Sequence, residues 1–456
     1  NTRTDMYGGS LFNRMRFLVE TIRSIKKYCG PNYPISVKLS MDDLEPDGIR
    51  IEETIEVCKA LEREGVSLLN LVDGTHVASM ATGFFPVNVS AARAKMVKEQ
   101  VHIPVMVTGN IQSPENAEEI LVSGAADFVG TARQSLADPA WPKKAKAGKA
   151  EDITPCIRCM VGCADHGLAA NCPLHCAVNP TLFRFYETPY PKTEEPKNVA
   201  VIGAGPAGCQ AAITLARCGH KATVYEKNEI GGALIQASVP NYKSDIRRLI
   251  AYYKTQLDKL GVEVIKAEAD FDTIKDGGYD AVIIATGAVT RKLDVPGIEN
   301  PCVSYAMDYL SAKAKDASAK LAEGSEAVVI GGGITGSEVA LELVEEGKKV
   351  TIVEVMDKFL DLRSHVAPIY MQAVYGAGVR VITGYRLESV DGETAVIVDR
   401  FGNRQRLNAD GGIVVAAGFT PNTELAQRLE DETDIEVFCT GDCKKARQIL
   451  EATREG

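Results

Sequence analysis

The run Val199-Ala-Val-Ile202-Gly203-Ala-Gly205-Pro-Ala-Gly208 reads as a strand that turns at once into a helix, and a second apolar strand after it ends at Glu226. The same unit returns 128 residues later as Val328-Val-Ile330-Gly331-Gly-Gly333-Ile-Thr-Gly336, its second strand, Val350-Thr-Ile-Val353, running to Glu354. A lone G-x-G-x-x-G carries little weight. Here each copy follows a strand, opens a helix and has an acidic residue 18 positions past its last glycine, from 208 to 226 and from 336 to 354. Glycine permits a tight turn and close approach to a pyrophosphate, the helix N-terminus supplies oriented N–H groups, and the carboxylate accepts from ribose hydroxyls. The pair is an internal repeat of a mononucleotide-binding fold and predicts two Rossmann-like domains.

Toward the N-terminus, residues 35–40, 67–73, 104–109 and 126–131 are short apolar runs, each followed by a helical pattern of suitable length. This alternation predicts βα units with parallel strands. Between Gly148 and Lys197 it breaks: cysteines, Pro155, Pro173, Pro180 and the Pro/Glu/Lys-rich stretch 188–196 predict an irregular module and then a linker. Five of the twelve cysteines fall between Cys156 and Cys176. In a large acidic chain with no export signal, bunched thiols more often hold metal than bridge strands. Cys209 and Cys218, on the helix after the first glycine loop, read as small buried hydrophobes.

A length of 456 residues suits about three domains. The net charge of −10 argues against a nucleic-acid surface or a polybasic membrane anchor. No apolar run approaches the roughly 18 residues that span a bilayer. The expectation is a cytoplasmic protein without nucleic-acid or membrane partners. The opening at Asn1 and a closing stretch, 450–456, that reads as an unfinished helix predict a fragment at both ends.

Two glycine loops a domain's length apart resemble the flavoprotein reductases with two dinucleotide-binding domains, in which the first binds FAD and the second, inserted into it, binds a nicotinamide nucleotide. Three further segments carry the resemblance. Ala285-Thr286-Gly287 fits the crossover between the domains, Ala417-Gly418-Phe419 the return, and Thr440-Gly441-Asp442 the late Gly-Asp whose aspartate meets the flavin's ribityl chain. The resemblance thus implies FAD on Gly203, Gly205, Gly208, Glu226, Gly441 and Asp442, and nicotinamide nucleotide on Gly331, Gly333, Gly336 and Glu354. A carboxylate at 354 accepts from a free 2′-OH and repels a 2′-phosphate, which favours NADH over NADPH. The spacing Cys156-x2-Cys159-x3-Cys163, followed by Cys172 and Cys176, suits either Zn²⁺ or a [4Fe–4S] cube. Redox-inert zinc would have no task between two hydride-handling cofactors, which favours the cluster.

In the barrel-like part, Thr108-Gly109-Asn110 ends one strand and Gly130-Thr131-Ala132-Arg133 the next. Two small-residue loops and an arginine at the carboxyl ends of neighbouring strands suit a flavin phosphate. Asn1-Thr-Arg-Thr-Asp-Met-Tyr-Gly-Gly-Ser10-Leu-Phe-Asn13-Arg14-Met-Arg16-Phe17, continued by Ala137-Asp138-Pro139 and Trp141-Pro142, resembles a segment of old yellow enzyme relatives. The order of parts over essentially the whole chain is similar to the 2,4-dienoyl-CoA reductase and 2-enoate reductase family, an architecture that trimethylamine dehydrogenase shares. The fold this implies is α/β: the C-terminal half of a TIM barrel that holds FMN (1–148), a [4Fe–4S] module and linker (149–196), an FAD domain (197–290 and 410–456) and an inserted NAD domain (291–409).

Carried over by this resemblance, Lys38 takes the place of an arginine facing the flavin N1/O2 edge, keeping the charge without the planar fork. Gly109, Asn110, Ala132 and Arg133 match the FMN phosphate loops. His76 matches a histidine of the substrate pocket. Cys176, in Cys176-Ala-Val-Asn-Pro180, matches the fourth cluster ligand beside Cys156, Cys159 and Cys163. Four strands cannot close a barrel, so the family's earlier strands and its proton-donating tyrosine are expected before Asn1. The activity implied is NADH-dependent reduction of the C=C bond of an α,β-unsaturated carboxylate, thioester or enone, with electrons passing from NADH to FAD, the cluster, FMN and substrate. The alternatives are amine oxidation of the trimethylamine dehydrogenase type and a diaphorase module that feeds another protein. The partner expected is a small unsaturated substrate, and a homo-oligomer is compatible with the reading.

Overall fold

A computed structural model of the chain describes residues 3–74, 83–169, 171–183, 190–361, 364 and 366–456. They form two compact units, Asn1–Arg158 and Cys159–Gly456.

The first unit is built on four parallel strands, Ser36–Ser40, Leu68–Val72, Val105–Thr108 and Phe128–Gly130, each paired with the next in that order. The helices Leu11–Cys29, Ile51–Arg63, Ala91–Lys98 and Pro114–Val122 alternate with them. Because strand side chains alternate between faces, Val37, Leu69, Leu71, Val105 and Val107 share one face and pack into a buried core with Ile22, Leu61 and Ile120. The register puts Lys38 opposite Asn70 and Thr108 opposite Gly130 on the other face, where Lys38 is exposed and Asn70 Oδ1 accepts from Thr108 Oγ1 at 3.0 Å. These are the consecutive βα units of a TIM-type barrel, with Lys38, Asn70 and Thr108 among the residues on the strand face turned away from the helices.

The second unit holds two five-stranded parallel sheets. In the first the order is Glu436–Cys439, Ala281–Ile284, Asn198–Ile202, Lys221–Tyr225, Glu263–Ile265. In the second it is Val303–Tyr305, Ile413–Val415, Glu326–Ile330, Lys349–Glu354, Arg380–Thr383. The central strands are runs of Val, Ile and Ala buried on both faces, as a doubly wound sheet requires. A three-stranded antiparallel sheet, Tyr385–Asp391, Thr394–Asp399 and Arg404–Asn408, packs on the second sheet through Leu387, Val390, Ile397 and Leu407. Between the parallel sheets, Ala288–Thr290 pairs antiparallel with Phe419–Pro421, so the two sequence-predicted crossovers run side by side as one ribbon.

That ribbon corrects one boundary. The sequence reading returned the chain to the first nucleotide domain at residue 410, yet Ile413–Val415 hydrogen-bonds to both Glu326–Ile330 and Val303–Tyr305 and is a strand of the second sheet. Pairing places the return at Phe419–Pro421. Among the described residues no helix is long and apolar enough to cross a membrane.

Candidate functional site

The first glycine loop joins Asn198–Ile202 to the helix Pro206–Cys218. Pro206 opens the helix where its missing N–H costs nothing, and Gly219 closes it in the left-handed conformation, φ +97°. Gly203 turns at φ +101°, and a Cβ on Gly208 would stand 1.9 Å from the Gly203 carbonyl oxygen. Gly205, the N-cap, has nothing within 4 Å of the Cβ position, so the helix N-terminus is bare. Glu226 lies at the loop: Oε2 accepts from Ala204 N at 2.8 Å and Oε1 from Asn228 N at 2.8 Å.

Gly441, at φ +68°, presses on the same helix, since a Cβ there would meet Ala207 Cβ at 2.8 Å. Beside it, burial holds the Asp442 carboxyl above the usual aspartate range, and Arg447 N donates to its Oδ1 at 3.0 Å. The glycine cradle, bare helix terminus and adjoining carboxylates fit an FAD whose pyrophosphate and polyol must approach backbone. Cys209 behaves as expected: it is buried in the helix and its thiol is pushed far up by that burial, whereas Cys218 is half-buried.

The second loop repeats this geometry. Gly331 turns at φ +108°, a Cβ on Gly336 would stand 1.9 Å from the Gly331 carbonyl oxygen, and nothing lies within 4 Å of the Gly333 Cβ position. Glu354 Oε2 accepts from Gly332 N at 2.6 Å and Oε1 from Met356 N at 2.8 Å. The arrangement fits a second dinucleotide on the helix Ile334–Glu345.

At the carboxyl ends of the barrel strands, Thr108–Gly109 and Gly130–Thr131 are neighbours in register. A Cβ on Gly109 would meet Ser90 Oγ at 2.5 Å, and one on Gly130 would meet Thr108 Oγ1 at 2.5 Å. Ala132 caps the short helix that Arg133 opens, so the two small-residue loops and Arg133 converge, an arrangement that fits a flavin phosphate. Asn110, in the first of these loops, also has a local task. Buried and left-handed at φ +54°, it donates through Nδ2 to Phe85 O (3.1 Å) and Pro86 O (2.6 Å) and accepts from Gln112 Nε2 (2.9 Å), which ties down the loop 83–90. His76 lies outside the described residues, as does Asn1.

In the cysteine run, Arg158 and Met160 on either side of Cys159 are left-handed, at φ +52° and +62°. Non-glycine residues are held there only where surrounding structure compels it, commonly at ligand sites. Val161–Ala169 forms a π-type helix, and His175 N donates to Gly162 O at 3.1 Å, one residue from Cys163 on one side and from Cys176 on the other. A Cβ on Gly162 would meet His175 O at 2.3 Å. Cys156 is buried, Cys159, Cys163 and Cys176 are half-buried, and none forms a disulfide. The all-thiol donor set and this close backbone approach suit a thiolate cluster. Among the described residues, no three His, Cys, Asp or Glu side chains are gathered as around a bound ion.

One group escaped the sequence. Glu338, on the helix that the second glycine loop opens, is buried and ion-paired with Lys243 Nζ from the first nucleotide domain, and it accepts from Tyr370 OH at 2.7 Å. Gln236 Nε2 donates to Ser311 Oγ at 3.0 Å across the same junction. Two glutamates, 338 and 342, buried among small and apolar residues of that helix were the available signal, but a partner 95 residues away leaves no local pattern.

The description "NADH:flavin oxidoreductase / NADH oxidase family" matches residues 1–152, and "Pyridine nucleotide-disulphide oxidoreductase" matches residues 197–454. An NADH oxidase of Thermoanaerobacter brockii is 38% identical over all of this chain and 70% of its own length. A cinnamate reductase of Clostridium sporogenes is 31% identical over 99% of this chain and 70% of its own length. Among solved structures, 2-naphthoyl-CoA reductase in complex with 2-naphthoyl-CoA superposes with a TM-score of 0.92 at 30% identity, covering 100% of this chain and 69% of that one.

Proposed function

The chain belongs to the NADH:flavin oxidoreductase / NADH oxidase family, in the branch of 2-enoate and dienoyl-CoA reductases that carry a pyridine nucleotide-disulphide oxidoreductase module, and on that premise we propose that it is an NADH-dependent reductase of C=C bonds conjugated to a carboxylate, thioester or ketone. The family uses flavin and nicotinamide, and two relatives are by name reductases of cinnamate and of 2-naphthoyl-CoA. When bound, NADH, FAD, a [4Fe–4S] cluster and FMN would supply, in that order, hydride donation, its acceptance, one-electron relay and hydride delivery to the alkene.

The residues of the chain would serve these groups as follows. The helix Pro206–Cys218 presents its N-terminal N–H groups to the FAD pyrophosphate, with Glu226 on a ribose and Asp442 on the polyol. The helix Ile334–Glu345 does the same for NADH, and Glu354, fixed by two backbone N–H groups, accepts from the ribose 2′-OH. Gly109, Ala132 and Arg133 hold the FMN phosphate, with Asn110 shaping the rim. Lys38 supplies positive charge on the open strand face, where it favours the anionic reduced flavin. Cys156, Cys159, Cys163 and Cys176 are the proposed cluster ligands, and His76 is the proposed aid to protonation of the substrate α-carbon.

The observation that carries this reading is the intact second loop with its pinned carboxylate, which a protein driven by NADH needs to hold its donor. The test is anaerobic mixing of the flavin-loaded full-length protein with NADH, then with cinnamate or an enoyl thioester. Flavin bleaching by NADH followed by alkene-dependent reoxidation is expected. Inertness to NADH with bleaching by a secondary amine would establish the amine oxidase reading. Dye reduction without loss of any enoate would establish the diaphorase. Metal analysis that found zinc in place of iron would remove the cluster from the scheme.

A further inference from the structure

Cys439 and Cys443 bracket Thr440, Gly441 and Asp442, the turn assigned to the flavin polyol. Cys439 ends the strand Glu436–Cys439 and pairs with Ile284 on the neighbouring strand. Cys443 is buried, and its thiol donates to Ile284 O at 2.9 Å and Thr440 O at 3.1 Å. Both cysteines thus pack about one residue, Ile284, in the same apolar cluster. Cys439 is half-buried and reachable from solvent, whereas Cys443 is not.

We propose that Cys439 and Cys443 form a reversible disulfide that closes the five-residue turn around Asp442 and loosens its hold on FAD, a role that rests on the FAD assignment of this loop. The oxidant is a small-molecule disulfide. The Cys439 thiolate attacks one of its sulfurs, forming a mixed disulfide and expelling one thiolate. The Cys443 thiolate then attacks the Cys439 sulfur, expelling the second. The protein dithiol loses two electrons, the small disulfide gains them, and the two thiol protons leave with the two product thiols.

Closure must change the turn. A disulfide needs its sulfurs about 2 Å apart at a fixed dihedral angle, and Cys443 surrenders the hydrogen that it donates to two carbonyls. Gly441 has no slack, being wedged against Ala207 and donating its N–H to Glu455 Oε2 at 3.0 Å. Strain therefore falls on Asp442. Burial holds both thiols above their ordinary value, Cys443 at about 11, and the charged groups that face Cys439 are Glu430 of the helix Glu424–Glu432, which opposes its ionisation, and Lys444, which favours it. The exchange is accordingly slow at neutral pH and quickens with alkalinity.

The test treats the FAD-loaded full chain with oxidised glutathione at pH 8.5, then blocks free thiols by alkylation, maps the peptides and measures retained FAD. The expected result is a 439–443 disulfide, reversed by dithiothreitol, with FAD affinity lowered about tenfold, the scale of one hydrogen bond to a charged group. Cys439→Ser and Cys443→Ala are expected to keep FAD under the same treatment. Independent alkylation of both cysteines after oxidation would overturn the proposal, as would a mapped disulfide with unchanged FAD affinity. A reduced protein unable to bind FAD would sink the loop's assignment itself, and with it the gate.

Discussion

The two glycine loops are nearly the same object. Their first glycines turn at φ +101° and +108°, their last glycines tolerate a Cβ equally badly, and their carboxylates grip the same two backbone positions. They differ in what covers them. Over the first, Gly231 N donates to Ala204 O at 2.8 Å, a Cβ on Gly232 would meet Gly205 Cα at 2.9 Å, and Gly441 leans on Ala207. Beside the second, among the described residues, a Cβ on Gly332 would meet the aromatic edge of Phe359 at 2.9 Å and Glu354 at 3.1 Å. Identical backbone chemistry thus has two glycine-rich segments packed against its flank in the first loop and an aromatic ring in the second.

The largest expected effects are those that break one loop and spare the other. Gly336→Ala forces a methyl into the Gly331 carbonyl and is expected to raise the KM for NADH about a hundredfold or more while FAD stays bound. Gly208→Ala is expected to reverse the pattern, with apoprotein isolated from cells. Stopped-flow bleaching and flavin content separate the two, and equal loss of both functions from either variant would show the loops to be one folding unit. Next in size is Lys243→Met, which strands the Glu338 charge. With Lys243 partly exposed, stability is expected to drop by about 2–3 kcal/mol, read by denaturant titration. A Glu338→Gln change in the same background is expected to restore part of it.

Smaller again is Glu354→Gln. It keeps an acceptor for Gly332 N but removes the charge facing a 2′-phosphate, so preference for NADH over NADPH in kcat/KM should fall about tenfold. Glu226→Gln should leave that ratio untouched. The smallest effect concerns acid. Because burial raises the Asp442 carboxyl above the ordinary aspartate range, it takes up its proton earlier as pH falls, and the ionised acceptor is lost through that raised value. FAD affinity is expected to weaken a few-fold there. Asp442→Asn should flatten the profile, and the KM for NADH should show no such inflection.

The sequence made the repeated units legible because their information is local. A strand, three glycines and a carboxylate at fixed offsets need no knowledge of distant chain, and the four βα runs matched their strands to within two residues at each end. The late Thr440-Gly441-Asp442 follows the strand Glu436–Cys439, as its apolar lead-in predicted. What stayed hidden depends on partners far apart: Ile413–Val415 belonging to the second sheet, Lys243 finding Glu338, and Asn110 holding the loop 83–90. Apolar runs such as Ile413–Val415 fit either sheet until pairing is seen. Asn110 was read by its match to a motif, and its left-handed backbone and three hydrogen bonds add a local structural task that the motif does not state.

The ribbon of Ala288–Thr290 and Phe419–Pro421 has a practical meaning. The entering and leaving strands of the intervening segment are bonded neighbours, tied further by Arg291 N to Gly418 O at 3.0 Å and Asn422 N to Gly287 O at 3.2 Å. The chain enters and leaves the segment between them through this one double-stranded stalk, and Lys243–Glu338 and Gln236–Ser311 tie that segment to the first domain at a second place. The nicotinamide module is therefore a cassette in its chain path: a donor module of different coenzyme preference could be spliced in at two adjacent points, provided that it also brings a partner for Lys243.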